Sequence, residues 1–213
     1  HEALLLSQWC GFDVVVGFKD SLDVLLITDW AVEGCHDGHY GSWIVVHEDS
    51  PHQHIRNLFN GVAVINSRES HSGMHCLLTM VQPYSKDGLF FQRIFESGAH
   101  ADSLVAIQQK AADVAAIDCI TYQLLKTHRP SALSGTKIIG QTDAAPAHPY
   151  VTSSNTPKET QLRMQDALHA AFNDSSLDSA REMILLKHGI FGRSNDYQKI
   201  ADEFSYDPRL LSV

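Results

Sequence analysis

The chain reads as an α/β protein with mostly parallel sheets, arranged as two lobes, on three observations. Short apolar runs rich in Val, Ile and Leu alternate with longer helical patterns, which is the signature of that class. Two turn-rich connectors, EGCHDGHYGSW (Glu33 to Trp43) and TDAAPAHPY (Thr142 to Tyr150), bracket a compact βα unit. The length of 213 residues, 44% of them hydrophobic, suffices for one large domain or two small lobes with a real core.

Strands are expected at Ala3 to Ser7, Asp23 to Thr28, Ser42 to His47, Gly61 to Ile65, Gln92 to Glu96, Asp113 to Ile117, Lys137 to Gln141 and Tyr150 to Ser153. Helices follow strands directly at Ser72 to Val81, Asp102 to Ala111 and Cys119 to Thr127. Thr156, Pro157 and Glu159 form a helix start running to about Phe172, and the C-terminal third is expected to be helical. If both connectors cross together, the chain leaves the first lobe, builds the second and returns. The first lobe then takes residues 1–41 and 147–213, the second takes 42–146, and the two crossings make a two-strand hinge.

With 25 acidic and 16 basic side chains the formal charge is -9, which argues against nucleic acid as a partner, because phosphate-backbone affinity comes from clustered Lys and Arg. A small anion in a pocket is not excluded. No apolar run approaches the ~20 residues of a membrane span, and no leader pattern is present, so the chain is expected to be soluble. Its apolar opening, HEALLLSQWCGF, stands where an intact domain has a polar start, and an N-terminal truncation is expected. The four cysteines, Cys10, Cys35, Cys76 and Cys119, fit no metal-knuckle spacing, and Cys76 and Cys119 read as buried thiols.

In an open α/β sheet, ligands sit at the carboxyl ends of strands, where helix N-termini direct amides outward. Three such places are polar here: Ser70-His71-Ser72-Gly73 after Ile65, Ser97 to Ser103 after RIFE, and Asp118 after DVAAI. At the first, the Ser hydroxyls and the amides of residues 72 to 74 can donate to an anion, the helix dipole adds to this, and Gly73 permits close approach. Taken alone the same residues make an ordinary N-cap. His100 reads as a loop residue ahead of a helix capped by Asp102, and Asp118 reads equally as a site carboxylate or as the cap of the helix from Cys119.

The 13 histidines raise a metal reading at CHDGH (Cys35 to His39) and at His71 with His75. The helical pair lacks the glutamate of a zincin, and no nucleophile elbow, Walker loop or dinucleotide fingerprint is present. Neither a metal nor a cofactor is expected, and binding is favoured over catalysis.

Together SHSGM, SGAHADSLVAIQQKAADVAAID and GSWIVVHEDSP resemble the phosphonate- and phosphate-type substrate-binding proteins of ABC importers. The resemblance implies the type II periplasmic-binding-protein fold, two α/β lobes, with the first lobe incomplete because the family's opening strand-helix unit is absent. It implies a receptor, not an enzyme, that binds a phosphonate, phosphate or phosphite between its lobes and delivers it to ABC permease subunits. Family positions carry over onto Ser70, His71, Ser72, Gly73, His100 and Asp118, with Gln8, Trp9 and Tyr40 as first-lobe contacts. At His71 the family has a hydroxyl. The resemblance further implies a monomer, a periplasmic or surface-anchored location that meets the membrane only through permease or anchor, and a disulfide between Cys10 and Cys35. Two other classes stay open: the effector-sensing domain of a LysR-type transcription regulator, which shares the two-lobed fold, and a histidine-rich metal-dependent enzyme.

Overall fold

The computed structural model describes residues 3–203 and 206–211. In chain order its strands are β1 (Ser7–Gln8), β2 (Leu22–Trp30), β3 (Cys35–His36), β4 (His39–Tyr40), β5 (Ser42–His47), β6 (Val62–Ile65), β7 (Arg93–Glu96), β8 (Val114–Asp118), β9 (Thr136–Gln141), β10 (Ala145–Pro146), β11 (Pro149–Ser153) and β12 (Leu186–Ile190). The α-helices are α1 (Cys76–Val81), α2 (His100–Gln108), α3 (Cys119–His128), α4 (Lys158–Asn173), α5 (Asp178–Met183) and α6 (Gln198–Glu203). A π-turn, His71–His75, runs directly into α1. No helix among the described residues is long and apolar enough to cross a membrane.

The chain divides into two compact units, the first ending at Tyr40 and resuming over Ala145–Asp202, the second comprising Gly41–Ala144 and the stretch from Glu203. The assignment of the C-terminal stretch differs from the expectation that all of 147–213 belongs with the first lobe. Tyr206 and Leu210 are the reason, since both are buried in the apolar core of the second unit with Ile65, Met74 and Leu77.

The second unit carries a five-stranded sheet in the order β7-β6-β8-β5-β9. Strand β6 pairs in parallel with β7 and with β8, whereas β5 is antiparallel to β8 and β9. Alternate residues of the central strands face opposite ways, as period-2 geometry requires. Ile44, Val46, Ala63, Ile65 and Ala116 enter one core with Met74, Leu77 and Leu78, while Val45, Val64, Ala115 and Ile117 enter another with Leu104 and Ile107 of α2. Both faces being covered explains why these strands read as continuous apolar runs.

The first unit has a four-stranded sheet, β1-β11-β2-β12, and a small one, β10-β4-β3. Every pairing in both is antiparallel, which corrects the expectation of mostly parallel sheets. Parallel neighbours need a helical crossover, and among the described residues only the β6 to β7 and β7 to β8 connections supply one for a paired strand. Strand β12 corrects the all-helical C-terminal third. Its sequence, LKHGI, lacks an apolar run because Lys187 and His188 turn outward, each reaching 3.3 Å from Asp29 Oδ2 on β2. Burial opposes charge on Asp29, yet the Gly38 amide, Lys187 and His188 outweigh it and hold the carboxyl below the usual range.

Leu25 and Leu26 of β2 are fully buried beneath Phe172, Met164 and Leu168 of α4. Gly189 on β12 is a close approach: a Cβ there would lie 2.2 Å from Leu26 Cδ2. Gly189→Ala is therefore expected to lower stability by about 1 to 3 kcal/mol, read as a lower urea midpoint with an unchanged slope.

A polar cluster at the ends of three parallel strands

Because β6, β7 and β8 are parallel neighbours, their carboxyl ends share one edge of the sheet, and each ends in polar residues. Strand β6 leads through Asn66 to Ser70, β7 through Ser97 to His100, and β8 terminates on Asp118 itself. The three places singled out in the sequence thus meet at one edge.

Ser70 is extended (φ -80°, ψ 119°) and caps the π-turn. Its hydroxyl oxygen accepts from the Gly73 amide at 3.1 Å, and its carbonyl accepts from the Met74 and His75 amides. This corrects the expectation that the amides of 72 to 74 all point outward, since two of the three serve the cap. Ser72, 6% exposed, has its hydroxyl 3.1 Å from His100 Nε2 and 3.5 Å from the Ser70 hydroxyl. His71, 3% exposed, is turned into the unit.

His100 is the first residue of α2 and not a loop residue before an Asp102 cap. Gly98 adopts a left-handed φ of +96°, so the chain reverses directly after β7, and Ala99 takes the N-cap position with its carbonyl accepting from the Ser103 amide. Ser97 braces the reversal, donating to carbonyls of Ile65 and Ala99 and meeting Ser103 Oγ at 2.7 Å.

Asp118 is the N-cap of α3. Its Oδ1 accepts from the amides of Ile120 (2.7 Å) and Thr121 (3.1 Å), and its Oδ2 accepts from the Thr121 hydroxyl at 2.8 Å. A carboxylate offers about four acceptor positions, so one on Oδ2 is left beyond these three.

Two further residues stand beside these: Asn66, which the sequence does not single out, and His75, which it raises only as a metal candidate. Asn66 lies over Gly73 so closely that a Cβ on Gly73 would stand 1.6 Å from Asn66 Oδ1 and 3.2 Å from His100 Cε1. That oxygen is buried and has no hydrogen-bond partner among the described residues. His75, on the π-turn and 2% exposed, has Nδ1 2.8 Å from the Tyr206 hydroxyl. Burial and the neighbouring His71 push its pKa down to about 4, against a weaker opposing contact with the Arg68 carbonyl. Burial likewise pushes Tyr206 up to about 12. At neutral pH a neutral imidazole and a neutral phenol join the π-turn to the C-terminal stretch.

The first-unit residues stand apart from this cluster in the chain's division. Gln8 is exposed on β1 opposite Tyr150, and the Trp9 ring meets Phe18 edge-on at 4.9 Å. Tyr40 is 2% exposed, its ring 4.8 Å from that of His148. Cys10 and Cys35, between which the resemblance implies a disulfide, are both half-buried in the first unit. Cys35 is fixed on a two-residue ladder opposite Tyr40, while Cys10 lies near Tyr197, whose phenol is pushed up chiefly by burial and further by Asp196 and Cys10. Cys76 and Cys119 are buried as expected, Cys76 Sγ donating to the Ser72 carbonyl at 2.9 Å.

Gly73→Ala must displace Asn66 and is expected to cost about 1 to 3 kcal/mol of unfolding free energy, measured in urea. His75 supplies a pH dependence. Its folded pKa lies below the ordinary 6.5, so the unfolded chain takes up the proton first as pH falls. Its contribution is intact above about pH 6.5 and is lost between there and about pH 4, by up to about 3 kcal/mol. Unfolding titrations of the wild type and of His75→Gln should diverge in that window, the variant showing the shallower acid slope.

Comparisons with known proteins bear on the fold and the family. The family model described as "ABC transporter, phosphonate, periplasmic substrate-binding protein" matches residues 10–187. No curated protein sequence matches. Among solved structures the chain is similar to PhnD1 of Prochlorococcus marinus in complex with methylphosphonate, at 16% identity and a TM-score of 0.77 over 93% of this chain and 76% of that one. It is similar to PA3383 of Pseudomonas aeruginosa, a binding-protein component of an ABC phosphonate transporter, at 13% identity and a TM-score of 0.77 over 93% and 67%. XAC2383 of Xanthomonas citri, bound to ATP, gives 14% identity and a TM-score of 0.72 over 92% and 78%. At such identities the structural likeness speaks for the fold, and the family match over most of the chain speaks for membership. The chain belongs to the periplasmic substrate-binding proteins of ABC phosphonate transporters.

Proposed function

We propose that the polar edge of the second unit grips a small phosphorus oxyanion, a phosphonate, phosphate or phosphite, for delivery to an ABC permease. The observation that carries this is the Ser70, Ser72 and His100 set, hydrogen-bonded together where three parallel strands end. In this reading His100 presents Nε2–H to the Ser72 oxygen, which turns the Ser72 proton outward to the ligand. Ser70 uses one lone pair on the Gly73 amide and directs its own proton to the Ser72 oxygen, so it orients Ser72 toward the ligand. The grip consists of neutral donors and a helix start, which suits an anion captured by a chain of net charge -9. His71, the family's hydroxyl position, faces inward and is assigned a packing role.

Asp118 sets selectivity. Its remaining acceptor position on Oδ2 accepts a hydrogen bond from the P–OH of a monoprotonated ligand or from the amine of an aminophosphonate, and repels an anion that brings neither. Sulfate near neutrality brings neither. Gln8, Trp9 and Tyr40 are assigned as the first unit's contacts, and the receptor acts as a periplasmic or surface-anchored monomer.

Calorimetry with methylphosphonate, phosphite, phosphate and sulfate tests the reading. The wild type should bind the first three and reject sulfate, and Asp118→Asn, which preserves a capping oxygen, should narrow the gap. Ser72→Ala and His100→Ala should each weaken methylphosphonate binding by about 1 to 3 kcal/mol. Sulfate bound by the wild type as tightly as the phosphorus ligands would sink the selectivity role, and unaltered affinity in both alanine variants would remove the grip.

A further inference from the structure

A second set of histidines lies in the first unit, on the hairpin His36-Asp37-Gly38-His39 between β3 and β4. Asp37 and Gly38 have φ of +46° and +71°, the left-handed pair that a two-residue hairpin loop requires. The loop thereby sets the register, and His36 stands directly opposite His39. Directly opposed side chains project from the same face of a ladder, and here the two rings are near parallel, 18° apart, with centroids 5.8 Å from each other. The hairpin is also anchored. The Gly38 amide donates to Asp29 Oδ1 at 3.0 Å, and the Gly38 carbonyl accepts from the Ala147 amide at 2.8 Å.

The protonation of His39 follows from its neighbour. His39 Nδ1 lies 3.0 Å from the Asp37 carbonyl oxygen. A carbonyl can only accept, so Nδ1 carries the proton and the lone pair resides on Nε2. This is the arrangement in which metal-binding histidines are held, one ring nitrogen donating to a backbone carbonyl and the other left basic toward the metal. His36 is exposed beside it.

From these contacts we infer that His36 and His39 form a two-imidazole site for a divalent transition-metal cation, Cu(II), Ni(II) or Zn(II). Among the described residues no third His, Cys, Asp or Glu joins a cluster there, so water or a small anion fills the remaining positions. Imidazole nitrogen selects these borderline metals over Mg(II) and Ca(II), and affinity follows the order that places Cu(II) above both Ni(II) and Zn(II). The site lies outside the oxyanion residues and does not depend on what they bind.

The chelator-treated protein should be titrated with Cu(II), Ni(II), Zn(II) and Mg(II) at pH 7.5, alongside His36→Gln/His39→Gln and a control, His52→Gln/His54→Gln. The expected result is a Cu(II) site of unit stoichiometry, with two imidazole nitrogens coupled in its electron paramagnetic resonance spectrum. Affinity should fall by about tenfold or more in the hairpin variant only. Urea unfolding of the single His36→Gln variant, whose side chain is exposed, shows that the fold is retained. Equal affinity in wild type and hairpin variant, or an equal loss in the control, would overturn the assignment.

Discussion

Parallel pairing of β6 with β7 on one side and β8 on the other is the constraint from which the polar edge of the second unit follows. Parallel strands start and finish together, so three chain segments far apart in sequence deliver their following residues to one place. Had any of the three run the other way, Asn66 and Ser70, His100 or Asp118 would lie at the opposite end of the sheet. The crossovers that make this pairing possible contain α1 and α2. Those helices also cover the two apolar faces, so the covering of the core and the gathering of donors share a cause.

At that edge the groups compete for a limited number of protons and lone pairs. Ser70 and Asp118 both act as helix caps and are available to a ligand only with what capping leaves over. The cap that the sequence offers as one reading of these residues is present, and in the proposed function the same residues also serve the ligand. A cap holds its hydroxyl or carboxylate in a single orientation before any ligand arrives, which reduces the ordering cost of binding. Support comes from behind as well, where His75 and Tyr206 exchange a hydrogen bond across 131 positions of sequence.

Much of the second unit was legible in the sequence because its strands are buried on both faces, and continuous apolar runs such as VAVI and VAAID admit few other readings. Ser70, Ser72, Gly73, His100 and Asp118 were legible for a related reason, as polar residues interrupting such runs. Asn66 was not, since an asparagine after a strand is ordinary turn material and only the bare Cα of Gly73 beneath it gives it meaning. Strand β12 was hidden by side chains recruited to Asp29, and the expected strand Ala3 to Ser7 is reduced to Ser7–Gln8. The destination of Tyr206 and Leu210 is a long-range packing choice that no local pattern encodes.

The π-turn at His71–His75 bears on how this receptor can change over evolutionary time. A π-turn holds one residue more than the α-turn it replaces, so the segment ahead of α1 contains an insertion that the helix behind it does not share. Removing one residue between Ser70 and Cys76 would let the helix run regularly, and the buried face of Cys76, Leu77, Leu78 and Val81 could keep its packing. Everything ahead of the deletion would then rotate by about 100° about the helix axis, carrying the cap away from His100. Length variation in this one turn is thus a route by which homologues can redirect their donors while leaving the core intact.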